Sequence, residues 1–175
     1  MRRPLLLLTF ILMMILSSCE DKFKPASADI NSKEVPSHES WNSSVIFTDS
    51  SITKAILYAG HISVFTEGAY TLIDSGAKVD FFKDGKIVST LTGKRGKIND
   101  KSKDIEIFDS VKVVSSDSVS LSTNRLYWNN TTRKVSSEEF VRIKTPLEEI
   151  EGYGFESDQS LSNYRIFRVS GTFTK

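Results

Sequence analysis

Few residues in this chain have the types and spacing that catalysis or metal binding requires. The sequence of 175 residues contains one cysteine, Cys19, and two histidines, His38 and His61. A closed zinc site needs about four ligands, usually Cys or His, and a disulfide needs two cysteines, so both are excluded within a single chain. Neither histidine has neighbours in the nucleophile–base arrangement that covalent catalysis uses. We therefore predict no metal site and no cofactor.

The acidic residues and glycines give no stronger sign of catalysis. Glu138-Glu139 and Glu148-Glu149 are adjacent in sequence. Neighbours in a strand point to opposite faces, so neither pair converges as a general acid and base. Gly152-Tyr153-Gly154 is an isolated G-x-G motif outside the βαβ context of dinucleotide binding. We predict that the protein is not an enzyme, and catalysis by carboxylates that folding brings together is the weakest alternative.

The N-terminus predicts export and a lipid anchor on Cys19. Two arginines precede a 12-residue apolar run, Leu5 to Leu16, which is too short to span a bilayer comfortably. The run ends in Leu-Ser-Ser-Cys, which resembles a bacterial lipobox, whose cysteine is acylated and becomes the mature N-terminus. We predict a signal peptide over 1–18 and a flexible linker over 19–40, rich in Ser, Lys and acidic residues. The alternatives are a plain secretory signal and an uncleaved anchor.

Composition restricts the body of the chain to an all-β class. The whole chain carries 23 basic and 22 acidic side chains, so no basic surplus favours binding to nucleic acid. The 26 serines and 13 threonines favour strands and turns over long helices. From Trp41 onward apolar residues recur mostly at every second position, which is typical of strands. Ile52 to Tyr58 is compatible with a short helix or with a strand.

The turns between these strands indicate an antiparallel sandwich, barrel or roll over residues 41–175. Asp84-Gly85 lies between two apolar runs and is a strong hairpin signal. A weak repeat also relates the segment that begins at Asn99 to the one that begins 30 residues later at Asn129. This repeat suggests a sheet built from similar hairpins.

The C-terminal half resembles a known family. Its sequence contains L-x-T-x-x-L-x-W over 121–128 and then G-x-G-F-x-S-D-x-x-L-x-x-Y over 152–164. In this order, near the end of an exported chain, these motifs resemble the LptC family of lipopolysaccharide-export proteins. The resemblance covers about residues 50–171.

The resemblance implies a β-jellyroll, open as a slot with an apolar interior, that receives lipopolysaccharide from an inner-membrane ABC transporter. The lipid then passes to an LptA-like periplasmic protein that joins by strand pairing. By face parity, we assign ten side chains to the groove that binds lipopolysaccharide: Ile105, Ile107, Val111, Val113, Val119, Leu121, Trp128, Val135, Val141 and Ile143. The predicted docking edge for the LptA-like partner is Arg165, Phe167, Val169 and Gly171.

One feature departs from the family pattern. The resemblance implies an N-terminal transmembrane helix, whereas this chain has a short apolar run and a lipobox. We therefore expect a lipid-anchored protein that faces the periplasm of a Gram-negative bacterium, on the inner membrane, with the membrane itself as a partner through Cys19. The leading function is non-enzymatic lipid transfer. The alternative is a structural envelope lipoprotein whose β-domain docks other proteins and binds no lipid.

Overall fold

The structure is a computed structural model that describes residues 35–174. Over this range the chain forms ten β-strands joined by turns. Most strands alternate inward apolar with outward polar residues, the pattern of a sheet with one buried face. The strands are β1 His38–Asp49, β2 Ile52–Phe65, β3 Tyr70–Lys83, β4 Lys86–Gly93, β5 Arg95–Asn99, β6 Ile105–Ser115, β7 Ser120–Asn129, β8 Lys134–Lys144, β9 Glu148–Asp158 and β10 Tyr164–Thr174.

All ten strands belong to one antiparallel sheet, in the order β1-β2-β3-β4-β6-β7-β8-β9-β10, with β5 paired to β3 and β6. The predicted all-β antiparallel jellyroll is confirmed, and the ambiguous segment from Ile52 to Tyr58 is part of strand β2. Within the described chain, β1 pairs only with β2 and β10 only with β9. These two strands are therefore the edges of the sheet.

The β3–β4 hairpin has the turn that its sequence predicts. Lys83 pairs with Lys86, and both central residues have positive φ, 51° at Asp84 and 74° at Gly85. Two positive values define a type I′ turn, whose twist matches that of the strands, and glycine adopts such a φ without a steric cost.

β-Bulges interrupt the pairing and roll the sheet over its own apolar face. Ile105–Ile107 and Val111–Val113, which the sequence presents as separate short strands, form one continuous strand, β6. Asp109 and Ser110 have positive φ at its bulge. Its 30-residue repeat, β8, also has a bulge near its middle. Bulges increase local twist and bend a strand, which lets one sheet enclose a core.

Aromatic residues on strands that do not pair mark where the rolled sheet meets itself. Trp128 of β7 packs edge-on against Phe47 of β1, with ring centroids 5.8 Å apart, and lies 5.4 Å from Phe81 of β3. All three rings are buried. The inward faces of the first three strands and of the C-terminal half therefore share one core.

The loop between β9 and β10 closes part of this core. Leu161 is fully buried with a φ of 58°, and the Gln159 amide Nε2 donates a 3.2 Å hydrogen bond to the Phe82 carbonyl. Asp158 fixes the loop by accepting a 2.8 Å bond from Asn163 and a 3.0 Å bond from the Ser162 amide. Burial opposes ionisation of Asp158, but the hydrogen bonds outweigh it and hold the pKa of this carboxyl below its ordinary value.

Strand β1 begins at His38, three residues before the predicted domain start, so His38 belongs to the sheet rather than to the linker. The predicted signal peptide, Cys19 and most of the predicted linker lie outside the described residues. Over 35–174 the chain has no helix of the length and apolarity needed to cross a membrane.

Candidate functional site

Nine of the ten residues predicted to line a groove lie on the inward face of the sheet, and Val119 lies in the turn between β6 and β7. The nine expose 2% of their surface or less, and Val119 is half-buried against the same core. Their neighbours pack tightly around them: Val113, for example, pairs with Leu91 and Leu121, which are also buried. Contact between these ten residues and a lipid remains a prediction.

An accessible apolar cavity lies beside this core, at edge strand β1. Its volume is about 390 Å³, within the range of small-molecule sites in proteins. We call it the β1 pocket. Its apolar lining comes from three strands: Val45, Ile46 and Phe47 of β1, Ile62 and Val64 of β2, and Ile98 of β5. Thr48, Thr71, Asp100, Lys103 and Asn130 complete the lining, so that apolar walls meet a polar rim.

The β1 pocket adjoins the predicted groove residues. Phe47 lines the pocket and contacts Trp128, and Ile98 pairs across strands with Ile105. The pocket therefore lies against the apolar core, and Phe47 and Ile98 form part of both.

Sequence reasoning missed the pocket residues. Val45 and Phe47 alternate as a strand should, but they lie close to the predicted linker and escaped assignment. Ile98 belongs to a strand of only five residues, β5, too short for periodicity to reveal. The alternation of Ile62 and Val64 was visible, but which part of an inward face stays uncovered depends on distant strands.

A second, more open cavity of about 480 Å³ differs in chemistry. Its lining includes Asn42, Ser43, Ser44 and Ser75, together with glycines and alanines, and contains no Val, Leu, Ile or Phe. Tyr58 and Lys78 complete this lining, and the cavity is shallow. Because the β1 pocket encloses more of a bound chain and has branched aliphatic walls, it is the better candidate for an apolar ligand.

The predicted docking residues lie on edge strand β10. Arg165 is exposed, Phe167 and Val169 expose 59% and 58% of their surfaces, and Gly171 is half-buried. Phe173 is 58% exposed on the same strand. An edge with exposed apolar side chains is a surface to which another strand can pair. Docking at this edge remains a prediction.

The G-x-G motif has a structural role at this edge. A side chain at Gly152 would collide with the Arg168 carbonyl of β10, and Gly154 has a φ of 76° with the Phe167 ring packed over it. Both positions therefore require glycine if β9 and β10 are to pair closely.

His61 contacts carboxylates that are far from it in sequence. Its ring nitrogens lie 3.1 Å from Asp74 and 3.2 Å from Glu39, and the ring stacks on Trp41 at 4.9 Å. The hydrogen bond with His61 is the largest cause that lowers the pKa of Asp74. No serine or cysteine nucleophile contacts His61 within the described chain, so this cluster fastens β1 to β2 and β3.

The rolled antiparallel sheet and its apolar interior define the protein as a β-jellyroll. Residues 5–171 match the family model described as lipopolysaccharide-assembly, LptC-related. The match spans nearly the whole chain, so the protein belongs to the LptC family. No curated protein matches the chain.

Family membership defines the general role of the protein. LptC proteins are lipid-transport components of lipopolysaccharide export in the Gram-negative envelope, and they are not a known enzyme family. The protein therefore takes part in lipopolysaccharide export.

Proposed function

We propose that the protein receives lipopolysaccharide from an inner-membrane ABC transporter and passes it to an LptA-like periplasmic protein. The β1 pocket takes the acyl chains, and an acylated Cys19 holds the protein on the inner membrane facing the periplasm. The observation that carries the proposal is an apolar cavity beside edge strand β1.

The pocket keeps the acyl chains out of water while the lipid moves between membrane and partner. Each CH₂ group that it covers avoids about 0.8 kcal/mol of exposure to water, so even a short stretch of chain in the pocket lowers the cost of leaving the membrane. A carrier needs no catalytic residue for this task. The ten predicted interior residues continue the apolar surface behind Phe47 and Trp128 and would contact lipid if the layers separate.

Photocrosslinking tests where the lipid binds. A photoactivatable residue at Val45 or Val64, both half-buried in the pocket lining, should form adducts with lipopolysaccharide in living cells. Ile52 is the matched control, because it is an exposed apolar residue of β2 that lies outside the pocket. Absence of adducts at both pocket positions would contradict the proposal.

The alternative is a structural lipoprotein that docks envelope proteins and binds no lipid. The near-complete burial of the predicted groove residues favours it, since a packed core leaves no continuous lumen. The same crosslinks distinguish the two functions, because a structural protein would give no lipid adduct at any pocket position.

In this proposal the lipid leaves at strand β10, where the LptA-like partner adds a strand to the sheet. Replacing Gly171 with proline removes a backbone donor from the edge and should reduce capture of the partner in a pull-down. Gly171→Ala keeps the N–H and is the control, because its added carbon would meet only the Phe173 ring. Undiminished capture by a Gly171→Pro protein with native circular dichroism would exclude this edge as the docking site.

A further inference from the structure

The two turns related by the 30-residue repeat end in cations, one in the lining of the β1 pocket and one beside it. The first turn follows β5 and ends at Lys103, and the second follows β7 and ends at Arg133. Lys103 has a φ of 63° and Arg133 a φ of 60°, values that are uncommon for residues with long side chains. The repeat therefore places a positive side chain at the same point of both turns.

Matching hydrogen bonds hold the two turns in this conformation. The amide of Lys103 donates to the Asn99 carbonyl at 2.8 Å, and that of Arg133 donates to the Asn129 carbonyl at 2.9 Å. The Asn99 side-chain oxygen accepts the Ser102 amide at 3.1 Å, and that of Asn129 accepts an amide of the second turn at 2.8 Å. Both cations therefore extend from an ordered backbone.

The turns are also bonded to each other, which fixes the cations relative to the pocket. The Asn130 amide donates to Asp104 at 2.8 Å, and the Asn130 side chain donates to the Ser102 carbonyl at 3.3 Å. Lys103 and Asn130 both line the β1 pocket. The Arg133 guanidinium donates to the Asn130 side chain at 3.2 Å, one residue away from the pocket.

The charges around the turns leave Lys103 available. Asp100, also at the rim, accepts a 3.0 Å hydrogen bond from Thr71, and Asp49 lies 3.3 Å from Arg133. Asp49 is well exposed, and an exposed ion pair of this kind contributes little to stability, so an anion can replace Asp49 as the partner of Arg133. Lys103 forms no ion pair with any residue of the described chain.

We propose that Lys103 and Arg133 bind a phosphate group of the glycolipid whose acyl chains enter the β1 pocket. This inference rests on the proposed function and adds the headgroup chemistry that the pocket selects. An apolar lining with Lys103 in it and Arg133 beside it fits an anionic amphiphile, while the Asp100 carboxylate of the same lining is hydrogen-bonded to Thr71. Charge-assisted bonds from Lys and Arg to phosphate are among the stronger polar contacts. The site therefore takes a phosphorylated, acylated sugar rather than a neutral one.

The test compares lipid A before and after enzymatic removal of its phosphates. The full-length protein, held in phosphatidylcholine nanodiscs with a photoactivatable residue at the half-buried pocket position Val64, is titrated with each lipid and with inorganic phosphate. We expect Lys103→Gln and Arg133→Gln each to raise the half-saturating concentration of phosphorylated lipid A about tenfold. Lys101→Gln is the matched control, since Lys101 belongs to the first turn but does not line the pocket. It should bind as the wild type does.

Each outcome separates the phosphate site from the proposed function. Equal weakening of both lipids, or of neither, by Lys103→Gln would overturn the phosphate site alone. Displacement of lipid A by an equal concentration of inorganic phosphate would make this a free-anion site and would also overturn the proposal. Absence of adducts with any lipid in the wild type would overturn the proposed function as well. Arg133→Lys should keep most of the binding that Arg133→Gln loses. Because the Arg133 guanidinium also lies over the Trp128 ring, a change there can disturb the core, and Lys103→Gln then provides the independent test.

Discussion

A carboxylate introduced at Val113 and one introduced at Val64 should have opposite consequences. Val113 is 1% exposed in the core, whereas Val64 is half-buried in the lining of the β1 pocket. We expect Val113→Asp to destabilise the fold and Val64→Asp to leave the fold intact but weaken lipid capture.

The magnitude follows from the burial of each site. Loss of the buried valine costs ~1.5–3 kcal/mol. An aspartate sealed at position 113 must also stay protonated at pH 7, about three pH units above its ordinary pKa, which costs roughly 4 kcal/mol. The total is comparable with the whole stability of a small domain, ~5–15 kcal/mol. At position 64 the carboxylate reaches water through the pocket mouth, so the expected cost is about 1 kcal/mol.

Urea unfolding followed by circular dichroism measures both effects. Asparagine at each position is the control, because it has nearly the shape of aspartate without its charge. At pH 4 the penalty of Val113→Asp should approach that of Val113→Asn, since protonation then costs little. If the free energy of unfolding of Val113→Asp lies within about 1 kcal/mol of the wild-type value at pH 7, water reaches position 113 and the core there is an open groove. Undiminished lipid capture by a folded Val64→Asp protein would refute the pocket assignment.

Three further changes test other parts of the account. Cys19→Ala should abolish incorporation of radiolabelled palmitate and leave the signal peptide uncleaved, and equal labelling of both proteins would exclude the lipid anchor. Gly152→Ala should destabilise the protein by about 2 kcal/mol in urea unfolding, because the new carbon meets backbone of β10, whereas Gly171→Ala should cost less than about 1 kcal/mol. Asp158→Asn should lower stability at neutral pH. Because the pKa of Asp158 is lowered in the folded state, its contribution is present above the ordinary value of 3.8 and is lost as the pH falls below it. Unfolding at several pH values should therefore show the wild type and Asp158→Asn converging in acid.

The elements that the sequence predicted best depend on local chemistry. Asp84-Gly85 has few alternatives to a tight hairpin turn, and the inward face of β6 follows from strict alternation on either side of its bulge. The G-x-G-F motif carries part of the family resemblance, but its sequence does not reveal its structural role. That role is to let β10 approach β9 closely at Gly152.

The parts that escaped prediction depend on packing between strands that are distant in sequence. Alternation shows that Val113 and Val64 both face inward, but it cannot tell which one another layer covers. Phe47 meets Trp128 only because the bulged sheet rolls over itself. The β1 pocket is what remains between β1 and the turns that follow β5 and β7, so no local pattern encodes it.

The most direct test of the central claim is lipid crosslinking from Val64 in living cells that export lipopolysaccharide. We expect adducts of lipopolysaccharide at Val64 and none at Ile52 of the same strand. We also expect fewer Val64 adducts when the transporter is depleted of ATP. Equal adducts at both positions, or none at Val64 while export continues, would contradict the claim that the β1 pocket carries the lipid.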